Sequence, residues 1–108
     1  MIIINIFTSI RRYSAIAKKI IDMAYKKGIT LIPHAFKTGI LMSASLHIIA
    51  NTPNALWLEY VNQETVLSKT LVKKHFTIDE NGVVTIPNKP GLGIELDEEV
   101  LSFYRVDA

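Results

Sequence analysis

The chain has 108 residues, enough for one domain built on one core. Apolar residues make up 49% and charged residues 20%, which excludes a disordered chain, and the formal charge of +2 is spread along the sequence, leaving no basic face for nucleic acid. The absence of cysteine excludes disulfides, zinc–thiolate sites and cysteine nucleophiles.

The opening "MIIINIF" has neither a basic n-region nor a small-residue cleavage site. The longest apolar stretch, Gly39 to Ala50, is too short to span a bilayer. A cytoplasmic location with no membrane partner is therefore expected.

In chain order, residues 2–7 are a β-branched run that predicts a buried strand. "TSIRRYS" follows as a polar connection, with Ser14 placed to cap a helix. Ile16, Ile20, Met23, Ala24 and Lys27 recur at helical spacing, and Gly28 follows as a C′ glycine would. Residues 29–32 form a second short apolar run entered directly from that helix, which reads as a βαβ unit with parallel strands. After "HAFKTG", the stretch "ILMSASLHIIAN" is apolar nearly all round, so both of its faces are expected to lie against protein. "ALWLEYV" then supplies a third strand. Beyond Asn62, "FTIDENGVVTIP" pairs two alternating runs around Asn81-Gly82, a strong hairpin signal. "NKPGLG" is a turn-rich connector, and Asp97, Glu98 and Glu99 before "VLSFY" read as an N-cap and first-turn acids of a short final helix.

Three stretches taken together, "LIPHAFKTGILMSASLHIIA", "NTPNALWLEY" and "VTIPNKPGLGIELDEE", resemble the C-terminal part of the mandelate racemase and muconate lactonizing branch of the enolase superfamily, especially its sugar-acid dehydratases. Family members are much longer, so the resemblance implies a truncated relative. Its fold class would be α/β, a partial (β/α) barrel of about three parallel strands with crossover helices, followed by a β-hairpin and a short C-terminal helix. Residues 1–62 would be the barrel segment, with residues 2–7, 29–32 and 55–59 equivalent to strands six, seven and eight. Residues 63–108 would be a tail packed on the same domain.

Catalytic groups of such barrels stand at the C-terminal ends of strands, and His34 and Glu59 occupy such ends. By resemblance His34 is the general base that removes a proton α to a carboxylate. Glu59 matches the position that hydrogen-bonds the substrate carboxylate and its enediolate. Residue by residue, the plainer alternatives are a strand-end histidine bonded to backbone and a solvated acid at the edge of the sheet. His47, inside the apolar stretch, reads as a packed or bonded histidine. Lys18, Lys19, Lys26 and Lys27 read as the wet side of the first helix, and Trp57 as core or interface.

Two departures from the family pattern limit the expected activity. Full-length members use magnesium held by acidic residues, and the chain offers only Asp22 as a carboxylate before Glu59, so no cofactor is expected for this chain alone. Where the family's strand six ends in an aspartate that orients the histidine, this sequence has Ile6-Phe7. The reading is a noncatalytic relative, inactive alone. The alternatives are the C-terminal part of a dehydratase completed by another chain, and a carboxylate-binding module using His34 and Lys37. Unpaired strand edges and the apolar Gly39 to Ala50 helix would make it a homo-oligomer.

Overall fold

The computed structural model describes residues 13–34, 38–60 and 65–106. They form four helices: α1 (Tyr13–Lys26), α2 (Gly39–Ala50), α3 (Val66–Thr70) and α4 (Glu98–Tyr104).

α1 begins at Tyr13, so Ser14 lies inside the helix instead of capping it. Its buried stripe is Ala17, Ile21 and Ala24, while Ile16 and Met23 stay at the surface, a stripe rotated by one position from the predicted one. The two alanines bring the helix backbone close to its neighbours, which larger side chains at those positions would prevent. α1 ends in a Schellman turn: the Ile29 N–H reaches the Ala24 carbonyl at 2.9 Å and the Gly28 N–H reaches Tyr25 at 3.0 Å. Gly28 supplies the left-handed φ of 65° that this turn needs.

α2 lies between two apolar clusters. Met42 and Leu46 pack with Phe76, joined by Leu58, Tyr60, Val84, Ile86 and Ile94. Ile48 packs against Ile21 and Leu31, with Ile20 beside them. A helix covered on both sides gains nothing from a polar face, which explains its composition. Ser43 and Ser45 are fully buried, and the Ser43 hydroxyl donates to the Leu92 carbonyl, fixing α2 to the connector before α4.

Among the described residues the expected parallel strands are not formed. Among the described residues β-pairing is confined to isolated bridges, a parallel one between His34 and Glu59 and antiparallel ones at Val72–Leu96 and Ile78–Val84. The α/β fold class, as a partial barrel of about three parallel strands followed by a β-hairpin, is therefore corrected to a mainly helical arrangement with single bridges; residues 2–7 lie outside the described residues. Side chains taking backbone partners explain the difference. The Asn54 side-chain amide donates to the Ile29 carbonyl at 2.7 Å, the Tyr60 hydroxyl donates to the Phe76 carbonyl at 2.7 Å, and Pro33, beside the bridge, has no N–H to give. At the expected hairpin, the Asp79 carboxylate accepts from both Asn81 and Val83 N–H groups at 2.9 Å. The turn closes through the Gly82 N–H on the Asp79 carbonyl at 3.0 Å. Gly82 has φ 77° but Asn81 is not left-handed, so this is not the two-residue primed turn that an Asn-Gly pair favours.

Two features were not foreseen. α3 starts at a reciprocal cap, with the Thr65 hydroxyl accepting from the Ser68 N–H and the Ser68 hydroxyl accepting from the Thr65 N–H. The Val72–Leu96 bridge is flanked by bonds from the Lys73 N–H to Glu95 at 3.0 Å and from the Asp97 N–H to Leu71 at 2.9 Å. This pairing ties the start of the tail to the entry of α4. α4 itself is capped as foreseen, the Asp97 carboxylate accepting from the Glu99 and Val100 N–H groups at 3.1 Å.

Candidate active site

His34 and Glu59 close two segments that run parallel and meet at one backbone bridge. Parallel neighbours at the same register direct their side chains to the same side, at the interstrand spacing of about 4.8 Å. His34 is reached from α1 through the Gly28 turn and the buried Leu31 and Pro33. Glu59 is reached from α2 through Asn51, Thr52 and Asn54. Thr52 returns its hydroxyl to the Ile48 carbonyl at 2.6 Å, and Asn54 holds Ile29. The two approaches are thus fastened to each other before the site is reached.

The side chains touch. His34 Nδ1 lies 2.8 Å from Glu59 Oε2, with the imidazole 18% and the carboxyl 43% exposed. The ring is mostly shielded while the carboxyl reaches solvent. A histidine beside a carboxylate exchanges protons with a solute and forms an ion pair when the ring is protonated. The sequence placed both residues at segment ends; that they bond to one another is a further fact, legible only from their common register.

The other candidate residues are elsewhere. His47 Nδ1 donates to the Ser43 carbonyl one turn back at 2.8 Å, which is the bonded-helix reading. Asp22 pairs with Lys18 on the outer side of α1 at 2.8 Å. Asp97 caps α4, with Glu98 and Glu99 in its first turn. Trp57 is exposed, so it is not core. Phe7 and Lys37 lie outside the described residues, and the carboxylate-binding alternative, which needs Lys37, gains nothing from the structure. Glu95, in the tail, lies 3.2 Å from Lys89 and 3.8 Å from Lys73. The hydrogen bond and charge of Lys89, with the charge of Lys73, hold its carboxyl below the ordinary value.

Magnesium, which full-length superfamily members use, needs several oxygen ligands converging on one point. The described residues do not fit that requirement: among them no three His, Asp or Glu side chains are grouped to hold a metal ion, and Asp22, Glu59 and Glu95 are each engaged with a different basic group. Among the described residues no helix is long and apolar enough to cross a membrane.

Residues 15–100 match the family described as Enolase C-terminal domain-like. D-galactarolactone cycloisomerase from Agrobacterium fabrum is 31% identical over 96 residues, covering 82% of this chain and 25% of that protein. Arabinonate dehydratase from Saccharolobus solfataricus is 34% identical over 87 residues, covering 81% and 23%. D-xylonate dehydratase from Haloferax volcanii is 34% identical over 90 residues, covering 83% and 22%. The crystal structure of a predicted mandelate racemase from Rhodobacter sphaeroides aligns with a TM-score of 0.73 at 30% identity, over 85% of this chain and 24% of that one. An enolase of the mandelate racemase subgroup from Agrobacterium tumefaciens aligns at 0.67 and 32% identity, over 81% and 24%. The chain spans about a quarter of the length of the curated relatives it matches. By sequence and by structure, the chain belongs to the enolase C-terminal domain-like family.

Proposed function

We propose that this chain on its own is a noncatalytic relative of the acid-sugar dehydratases and cycloisomerases, one that keeps a proton-transfer pair, His34 and Glu59. The observation that supports this reading is the 2.8 Å contact between them. It sets the imidazole that the resemblance reads as the base against the glutamate that the resemblance assigns to the substrate. Dehydration of an acid sugar begins with loss of the proton next to the carboxylate, and the dianion so formed needs a cation to hold it. The described acidic side chains are spread over the molecule instead of converging beside His34.

The test is incubation of the purified chain with magnesium and D-xylonate, arabinonate or D-galactarolactone, followed by detection of a 2-keto-3-deoxy acid or an isomerised lactone. No product is expected. Magnesium-dependent turnover that disappears in His34→Asn would overturn the reading.

A second reading, completion of the site by another polypeptide, is favoured by Leu56 and Trp57. These are 79% and 66% exposed and stand just before Glu59 in the chain. Large apolar side chains beside a site are suited to being covered by a partner. Under this reading a co-expressed chain carrying acidic ligands restores dehydration, and His34→Asn abolishes it.

A further inference from the structure

We infer that Glu59 is a positioning residue for His34, in the place an aspartate would take, holding the ring in the tautomer with its hydrogen on Nδ1 and Nε2 as the accepting nitrogen. The sequence has Phe7 where the resemblance calls for the orienting aspartate. In this structure a carboxylate nevertheless lies against Nδ1, and it comes from the neighbouring segment. The parallel bridge puts the two side chains on one side at one level. A slip of one residue would send Glu59 to the opposite face.

An ionised carboxylate only accepts hydrogen bonds, so a bond to neutral imidazole requires the hydrogen on Nδ1. Which ring nitrogen carries the hydrogen follows from the bond the ring makes. The role is also incompatible with the one the resemblance gives Glu59. To donate to a substrate carboxylate Glu59 must be protonated; to accept from His34 in a charge-assisted bond it must be ionised. One carboxyl group does not hold both states at once, and we assign Glu59 the second.

His47 provides a reference inside the same molecule, since its Nδ1 donates to the Ser43 carbonyl, an acceptor independent of Glu59. The experiment is a long-range proton–nitrogen correlation spectrum of the isotope-labelled full chain at alkaline pH, where neutral imidazole tautomers are told apart by their nitrogen shifts. In the unmodified chain both His34 and His47 are expected to carry hydrogen on Nδ1. In Glu59→Leu the His34 hydrogen is expected to move mainly to Nε2 while His47 is unchanged. The inference is overturned if His34 in the unmodified chain carries hydrogen on Nε2. It is equally overturned if His34 stays in the Nδ1 form in Glu59→Leu with the His47 signal intact. Should Glu59→Leu lose the His47 signal and so the fold, the unmodified chain decides the matter: the Nδ1 form supports the inference, and the Nε2 form sinks it. The inference rests on reading His34 as the base position, yet its readout is a ring state and not turnover. Dehydration by the chain alone would remove the proposed function and leave the tautomer result standing, and the converse also holds.

Discussion

Gly39, the first residue of α2, lies directly against the fully buried side chain of Val72, so close that a Cβ at position 39 would overlap the valine Cγ2. Replacing a helical glycine by alanine ordinarily stabilises by about 1 kcal/mol. Here the sign is expected to reverse, because the methyl group has no room and Val72 is held in its bridge to Leu96. Gly39→Ala should cost about 1–3 kcal/mol, the range for overpacking, read as a lower urea midpoint. Adding Val72→Ala should recover part of the loss, so that the double variant is less destabilised than the sum of the two single ones. Additive effects would show that the contact is not tight.

At the other end of that bridge, Asp97 caps α4. α4 has seven residues and none of them is buried, so the helix depends on its ends more than on packing. Asp97→Ala is expected to cost about 1 kcal/mol, and amide exchange at Glu99 and Val100 should accelerate first. Asp97→Asn, which keeps an oxygen in place, should stay close to the unmodified chain. Equal losses in both variants would contradict the capping role.

Glu95 carries a pH dependence whose sign follows from its lysines. Lys89 and then Lys73 lower its carboxyl below the ordinary value of 4.5 in the folded chain. The folded state therefore binds this proton less readily than the unfolded state. The stabilisation is fully present above pH 4.5 and is lost as pH falls through the lowered folded value. Thermal melts of the unmodified chain and Glu95→Gln should differ slightly at neutral pH and converge in acid. All three side chains are well exposed, so the difference should be small and should shrink further in salt. A gap that widens in acid would reverse the assignment.

Leu56 and Trp57 carry the prediction about assembly. Leu56 and Trp57 are both exposed; exposed large apolar side chains favour self-association, and a two-fold dimer is the simplest closed form. Sedimentation at micromolar concentration should give a species heavier than the 12.1 kDa chain. Trp57→Lys should shift it toward monomer. A monomer in the unmodified chain, unfolding cooperatively, would end this expectation.

The end of α1 and the start of α4 were legible in the sequence because local chemistry decides them, Gly28 fitting the left-handed turn after α1 and Asp97 reaching two N–H groups at the start of α4, whereas the start of α1 was not, since Ser14 lies inside the helix. The double-sided covering of α2 was legible from its composition. The pairing pattern was not, since β-branched runs report a preference for extended backbone and not who takes each carbonyl. Asn54, Tyr60 and Asp79 each take a backbone group that a ladder would have used. The cap of α3 was missed because a Thr-x-x-Ser sequence is commonplace, where Glu or Gln at the fourth place would have been a signal. For the site, the resemblance placed His34 and Glu59 at segment ends, but their mutual bond depends on a register that only three-dimensional structure fixes.

The bond from Ser43 to the Leu92 carbonyl has a consequence for the order of events during synthesis. The two residues are 49 positions apart, and closing a loop of that size costs roughly 3 kcal/mol of chain entropy before any contact rewards it. While the ribosome has made α2 but not yet Leu92, the Ser43 hydroxyl lacks the acceptor it has in the finished fold. Over the same interval Met42 and Leu46 on the same helix lack Ile94. The interior of α2 is therefore completed only after the segment around Leu92, 49 positions further along the chain, has been made, and until then the helix presents apolar side chains that lack their final partners.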